Sequence, residues 1–305
     1  MQKLIAYLQL CRFAAVFTAM SDIFLGYLLT HAELESPRDF GLLLGSSSCL
    51  YLAGMVFNDV FDRQVDAQER PKRPIPSMRV PVRAAVVLGT ALVVAGLALS
   101  IAVGLNSAVV AGLLTGVIFL YDGVFKSTWV GPVVMGSCRF LNVMLGASTA
   151  RDSFTEEPSL MAVWTLPQVY VAAAIGVYIA GVTWFARNEA GTSRRSQLAW
   201  AMGTINLGFV LLLAFVMNWR DQWGHGSRTL AALALIALLV NFRLVAAFFD
   251  PVGAKVQSAI RAMLLWLIML DAIVVFFVQE KPLYAISMVI LMFPARLLAR
   301  FLAIT

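Results

Sequence analysis

Apolar stretches longer than 18 residues recur from one end of this 305-residue chain to the other. In hydrocarbon no water is available to a peptide N–H or C=O, so a spanning segment must be a helix or a strand of a closed barrel. Barrel strands would alternate apolar and polar residues over about ten positions, and this chain carries continuous apolar runs instead. With 60% hydrophobic and 13% charged residues, it has about half the charge of an average soluble domain. The expected fold class is an all-α membrane protein, one polytopic domain over residues 1–305. Hydropathy predicts ten helices, at 4–29, 40–62, 81–103, 107–122, 131–149, 163–186, 197–217, 229–249, 257–278 and 283–303.

Placing the N-terminus in the cytoplasm puts seventeen Lys and Arg on that side and five on the other, with Arg139 inside the fifth helix. That bias orients a multi-pass protein by the positive-inside rule. It turns the long polar connections 63–80 and 187–196 toward the cytoplasm, as expected for the inner membrane of a bacterial cell. The net charge of +6 is spread over loops, so nucleic acid is not an expected partner; membrane lipids are. The first apolar stretch is too long for a signal peptide, is interrupted by Arg12, and lacks a small-residue cleavage site. Cys11, Cys49 and Cys138 lie in apolar segments without a C-x-x-C pair and read as small buried hydrophobes. The two histidines, His31 and His225, fall in connections, which argues against a histidine-ligated zinc or haem.

Against this background the run Asn58-Asp59-Val60-Phe61-Asp62-Arg63-Gln64-Val65-Asp66 is out of place. Spacings of three and four put Asp59, Asp62 and Asp66 on one helix face, with Asn58 in line with Asp62. One Asp at a bilayer centre costs roughly 2.5–3.5 kcal/mol on the insertion scale. Such a face belongs in a wet cavity, and convergent carboxylates suit Mg²⁺, an oxygen-seeking ion able to hold a phosphorylated substrate. Arg70, Lys72 and Arg73, in Arg70-Pro71-Lys72-Arg73-Pro74-Ile75-Pro76, can add positive charge to phosphate. The alternative is an interfacial salt-bridge cluster between these acids and bases. Arg79 and Arg83 read as topology determinants at the headgroups.

Further polar residues interrupt apolar segments. Arg12, Asp22, Arg139, Asn142 and Asp271 either orient a polar acceptor or pair to lock helices together. Tyr121 joins them as a candidate acceptor-pocket residue. Cys-Arg-Phe occurs at 11–13 and again at 138–140, an offset that maps Asp62 to Glu189 and Asp66 to Ser193. The repeat is either coincidence or the trace of two similar halves, about 1–125 and 126–249, followed by helices over 257–303.

The pattern Asn-Asp-x-x-Asp-x-x-x-Asp at 58–66, with its basic proline segment, resembles the first signature of the UbiA-type intramembrane prenyltransferases. The resemblance covers most of the chain and implies a bundle of nine to ten transmembrane helices around a central cavity. It implies a metal site of Asn58, Asp59, Asp62, Asp66 and Glu189, and a diphosphate site of Arg70, Lys72, Arg73, Lys126, Arg194 and Arg195. Asp62, Asp66 and Lys126 are the expected catalytic residues. Tyr121-Asp122-x-x-x-Lys126 is similar to the family's pattern before helix five, although Lys126 could simply snorkel to the interface. The second acidic signature departs from the family, with Glu189 and Ser193 where two aspartates are expected and Arg194 and Arg195 after them. The implied activity is Mg²⁺-dependent transfer of an isoprenoid chain from an allylic diphosphate to a lipophilic or aromatic acceptor. The alternative is a carrier that keeps the fold without turnover. Arg-Pro-x-Arg-Pro-Ile-Pro, Gly136-x-x-Arg139-x-x-Asn142 and Leu270-Asp271-Ala272 are most like the EboC branch of the superfamily. A tenth helix, 283–303, exceeds the usual nine and is either an extra span or an interfacial helix.

Overall fold

The structure, a computed structural model, describes residues 2–151, 159–187, 194–224, 226–279 and 281–302. Helix α1 (Gln2–Leu10) and a 3-10 turn (Phe13–Ala15) lead into α2 (Val16–Thr30), α3 (Pro37–Phe61) and the short α4 (Arg63–Glu69). A proline-rich loop connects to α5 (Val82–Val103), which Gly104 alone separates from α6 (Leu105–Leu120). A π turn (Tyr121–Phe125) precedes α7 (Gly131–Gly146) and the one-turn α8 (Leu160–Val163). Helices α9 (Leu166–Ala186), α10 (Arg195–Trp219), α11 (Gly226–Phe249), α12 (Gly253–Gln279), α13 (Pro282–Ile290) and α14 (Met292–Leu302) complete the chain. Nine helical stretches among the described residues are long and apolar enough to cross a membrane, so this is a multi-pass integral membrane protein.

Three expected helices differ from the observed ones. The stretch 4–29 is broken, because Arg12 adopts a left-handed conformation (φ 45°, ψ 45°) and the spanning segment starts at Phe13. A non-glycine residue there costs about 1–3 kcal/mol and persists only when its surroundings hold it. The fifth helix, expected over 131–149, is a 16-residue α7 that ends in a 3-10 turn at Ala147–Thr149. At 1.5 Å per residue it is about 24 Å long, short of the roughly 30 Å hydrocarbon core. The segment 283–303 divides at Leu291 into α13 and α14, and α14 packs against the Phe13–Ala15 turn.

Burial sorts the helices into layers. In the spanning windows of α2 and α9, 61% of residues are buried, against 17% in α5 and 11% in the α13–α14 stretch. Helices α2, α3, α7, α9 and α12 therefore form the inside. The apolar faces of the others, such as Val87, Val94 and Ile101 on α5, point outward as lipid requires.

Small residues set how closely the inner helices approach. A Cβ added to Gly136 of α7 would lie 2.4 Å from the Gly176 carbonyl oxygen of α9, and one on Gly26 of α2 would lie 2.0 Å from the Val143 oxygen of α7. Backbone contact of this kind drives association where no hydrophobic effect exists between helices. Gly136→Val should separate α7 from α9 at a cost of about 1–3 kcal/mol, read as a lower unfolding midpoint in detergent. Gly203→Ala on α10, where an added Cβ meets nothing within 4 Å, should not lower it.

Candidate functional site

The acidic run does not lie on one uninterrupted helix. Helix α3 ends at Phe61 and α4 begins at Arg63, with Asp62 the joint between them. The helical course is kept, since Asp62 N–H donates to the Asn58 oxygen (3.0 Å) and Asp66 N–H to the Asp62 oxygen (2.8 Å). Asn58, Asp59 and Asp66 are buried, while Asp62 is only partly covered.

Cations from three other segments meet these carboxylates. Arg12 Nη2 donates to Asn58 Oδ1 (3.3 Å) and Asp59 Oδ1 (3.2 Å), which is the contact that the left-handed turn aims. Arg73 Nη1 bridges Asp59 Oδ1 (3.2 Å) and Asp66 Oδ2 (2.6 Å). Lys126 Nζ is paired with Asp62 Oδ2. Asn58 Nδ2 donates to Asp122 Oδ1 (2.9 Å), so a fourth carboxylate belongs to the group.

Arg73 is held firmly because its loop is anchored at both ends. Ile75 and Val80 are buried against Ala6, Leu10, Val56, Val60 and Ala85 in a small apolar core of their own. Ser77 Oγ donates to the Arg73 oxygen (2.6 Å), and Arg79 donates to Gln9 Oε1 (2.7 Å) and the Lys72 oxygen (2.7 Å). Arg79 is thus a loop tie as well as a surface charge. Lys126 owes its position to the π turn, in which its N–H reaches back five residues to the Tyr121 oxygen (2.9 Å). Such turns are frequent at functional sites.

Behind the acidic group lies a largely apolar cavity of about 290 Å³ between α2, α3, α6, α7, α9 and α12. Its walls include Met55, Leu114, Ile118, Ile179 and Leu264. Its polar positions include Arg12, Ser47, Tyr51, Tyr121, Asp122, Arg139 and Asn142.

The wall around Arg139 is a closed polar network. Arg139 donates to Asp22 Oδ2 (2.9 Å) and Thr18 Oγ1 (2.7 Å), and its guanidinium lies 5.5 Å from the centre of the Tyr51 ring. Asn142 Nδ2 also donates to Asp22 Oδ2 (2.8 Å), and Ser47 Oγ donates to Asn142 Oδ1 (2.7 Å). Ser21 Oγ donates to Asp271 Oδ2 (2.5 Å). Asp22 Oδ1 and Asp271 Oδ1 receive no donor, and the two carboxyl groups sit against each other. Asp22 and Asp271 therefore stand behind the cavity wall rather than in it, and the two readings of the buried charges meet here: the same residues lock α2 to α7 and shape the pocket.

Of the expected site residues, Asn58, Asp59, Asp62, Asp66, Arg12, Arg73 and Lys126 come together. Lys72, Arg194 and Arg195 are exposed; Arg195 donates to the Phe249 oxygen (3.4 Å), away from the cavity lining. Arg70 is partly covered, and Glu189 and Ser193 lie outside the described residues. Sequence reading missed Asp122, Ser47 and Tyr51. The signal was present: polar Ser47, Tyr51 and Asn58 share one face of an apolar helix at spacings of four and seven, and Asp122 lies inside the Tyr-Asp-x-x-x-Lys run. Burial and the nearby Asp59 carboxylate push the Cys11 thiol up to about 11.

Hard oxygen donors of this kind match Mg²⁺ in type. Their present arrangement does not: among the described residues no three carboxylate, histidine or cysteine groups are gathered as an ion site. Side-chain cations hold the carboxylates.

The chain has relatives among known proteins. The model of the UbiA prenyltransferase family matches residues 19–304. The chain belongs to that family. Among similar curated proteins, the digeranylgeranylglyceryl phosphate synthase of Saccharolobus solfataricus is 31% identical over 146 residues, 46% of this chain and 50% of that protein. The synthase of Methanopyrus kandleri is 29% identical over 150 residues, 48% of this chain and 55% of that one. The chain spans about half the length of the curated relatives it matches. A UbiA homolog from Aeropyrum pernix K1 superposes with a TM-score of 0.69 at 19% identity, over 90% of this chain and 96% of that one. A homolog from Archaeoglobus fulgidus bound to DMAPP and Mg²⁺ superposes at 0.64 and 16% identity, over 93% and 98%. At these identities the structural likeness establishes the UbiA fold.

Within that fold, Asp22 is the carboxylate that compensates Arg139. Removing one partner of a buried pair leaves an uncompensated charge, at about 3–5 kcal/mol. Asp22→Asn should therefore lower the unfolding midpoint in detergent sharply. Adding Arg139→Met should recover part of the loss, because the stranded charge is then gone.

Proposed function

We propose that this UbiA-family chain is a prenyltransferase that takes an isoprenoid chain from an allylic diphosphate and passes it to a lipophilic acceptor in the membrane. The observation that carries the reading is an apolar cavity with a polar wall whose lining residues Arg12 and Asp122 bond to Asp59 and Asn58, joining it to the group of Asp59, Asp62, Asp66, Arg73 and Lys126. The structural neighbour bound to DMAPP and Mg²⁺ supports the same donor class and the same ion here. Mg²⁺ held by Asn58, Asp59, Asp62 and Asp66 would neutralise the diphosphate as it leaves.

The chain's own residues do the remainder. Arg73 and Lys126 grip phosphate oxygens as the allylic C–O bond breaks and its electron pair goes to the diphosphate. The walls at Met55, Leu114, Ile118 and Ile179 exclude water from the allylic cation. A nucleophile of the acceptor then bonds to the cationic carbon and gives up its proton to the released diphosphate. Arg139, Asn142 and Tyr51 offer donors and an aromatic face to the polar end of the acceptor. Curated relatives named digeranylgeranylglyceryl phosphate synthases favour an acceptor with a glycerophosphate head, for which the cationic Arg12 and Arg139 are suitable. The narrower likeness to the EboC branch rests on Arg70–Pro76, Arg139, Asn142 and Asp271 and implies no particular product. The excess of Lys and Arg on one side favours a mouth open to the cytoplasm.

Asp62→Asn should weaken Mg²⁺-dependent binding of geranylgeranyl diphosphate about tenfold, or 1.4 kcal/mol, with the protein still folded in detergent. Unchanged affinity would leave the acidic face a salt-bridge cluster. Incubating the protein with that donor and geranylgeranylglyceryl phosphate should release pyrophosphate and give a doubly prenylated lipid by mass spectrometry. Retention of both lipids without pyrophosphate release, across a panel of hydroxyl and aromatic acceptors, would assign the protein as a carrier.

A further inference from the structure

The carboxylates assigned above to Mg²⁺ are occupied by the very cations assigned to the diphosphate. Arg73 Nη1 spans Asp59 and Asp66, Lys126 pairs with Asp62, and Arg12 touches Asn58 and Asp59. The pairing is well covered: side-chain exposure is 12% at Arg73, 3% at Asp59 and 5% at Asp66.

We infer that Arg73 is a stand-in cation, which keeps a divalent ion off Asp59 and Asp66 until a diphosphate arrives to take the guanidinium over. The inference rests on the diphosphate and Mg²⁺ reading above. A divalent ion arriving alone must displace Arg73 and leave a covered guanidinium without a carboxylate. A diphosphate arriving alone meets carboxylates whose cations are already committed. Arriving together they exchange partners, the ion going to carboxylate and phosphate oxygens and Arg73 to phosphate. Each therefore tightens the binding of the other, by the same factor in both directions.

The anchored loop makes the exchange a side-chain event. Ile75 and Val80 stay in their apolar core, and Arg79 holds the loop to Gln9. The guanidinium has only to turn from one set of oxygens to another, and its planar fork suits either carboxylate or phosphate. The pairing also keeps the acids compensated inside a membrane while no donor is bound.

Mn²⁺, an oxygen-preferring divalent ion with an electron-spin signal, reports metal binding without turnover. In the purified, detergent-solubilised chain, Mn²⁺ alone should bind weakly and geranylgeranyl diphosphate should tighten it. Arg73→Gln should raise the affinity for Mn²⁺ alone about tenfold, or 1.4 kcal/mol, while shrinking the tightening that the donor produces. Arg73→Lys keeps a cation and should stay near the parent, which separates lost pairing from a misfolded loop. Arg63→Gln removes the same charge from a neighbour that contacts the Val60 oxygen rather than a carboxylate, and should change Mn²⁺ affinity little.

Equal or weaker Mn²⁺ binding in Arg73→Gln, with donor still bound by the parent protein, overturns the stand-in role alone. A rise in Arg63→Gln equal to that in Arg73→Gln does the same, since general charge would then be the cause. Failure of the parent to bind the donor under any metal condition overturns this role and the proposed function together.

Discussion

Three carboxylates beside an apolar cavity are held by cations that arrive from separate parts of the chain. Asp59, Asp62 and Asp66 stand on the α3–α4 junction. Their partners come from the α1–α2 turn, the loop before α5 and the residue after the π turn. A buried carboxylate without compensation is costly, so each of these segments must be placed accurately for the bundle to tolerate the acids. The strained Arg12 turn, the apolar plug of Ile75 and Val80, and the five-residue reach of the π turn all serve that placement.

The cavity behind them is kept open by a second pairing. Arg139 and Asn142 reach Asp22 across the α2–α7 contact, where Gly26 and Gly146 let the backbones touch. Most of the polar atoms that would be expensive in lipid here are satisfied by one another, and Ser47, Tyr51, Arg139 and Asn142 face the pocket. The same residues thus give cohesion between helices and a polar wall to the cavity. A donor with a charged head and an apolar tail fits such a gradient from mouth to interior.

Much of this was legible in the chain itself. Ten apolar segments were expected, and the described residues include nine stretches able to span together with the shorter α7. The acidic run and Arg73 were singled out by residue type and spacing and Lys126 by its likeness to a family pattern, and the structure brings them together. The breaks at Arg12 and Leu291 were not legible, because hydropathy averages over a window and does not register a left-handed turn. Asp122 was overlooked because its role depends on Asn58, which is 64 positions away in the chain.

Composition and local spacing determined the solvent, the helical class and the identity of the charged groups. Backbone hydrogen bonding in lipid admits few solutions, and helical periodicity alone puts Asp59, Asp62 and Asp66 close together. Tertiary structure decided which charge answers which. A salt bridge depends on distances between side chains far apart in sequence: Arg12 to Asp59, Lys126 to Asp62 and Arg139 to Asp22. A local pattern cannot specify those distances; the packing of α2, α3 and α7 does.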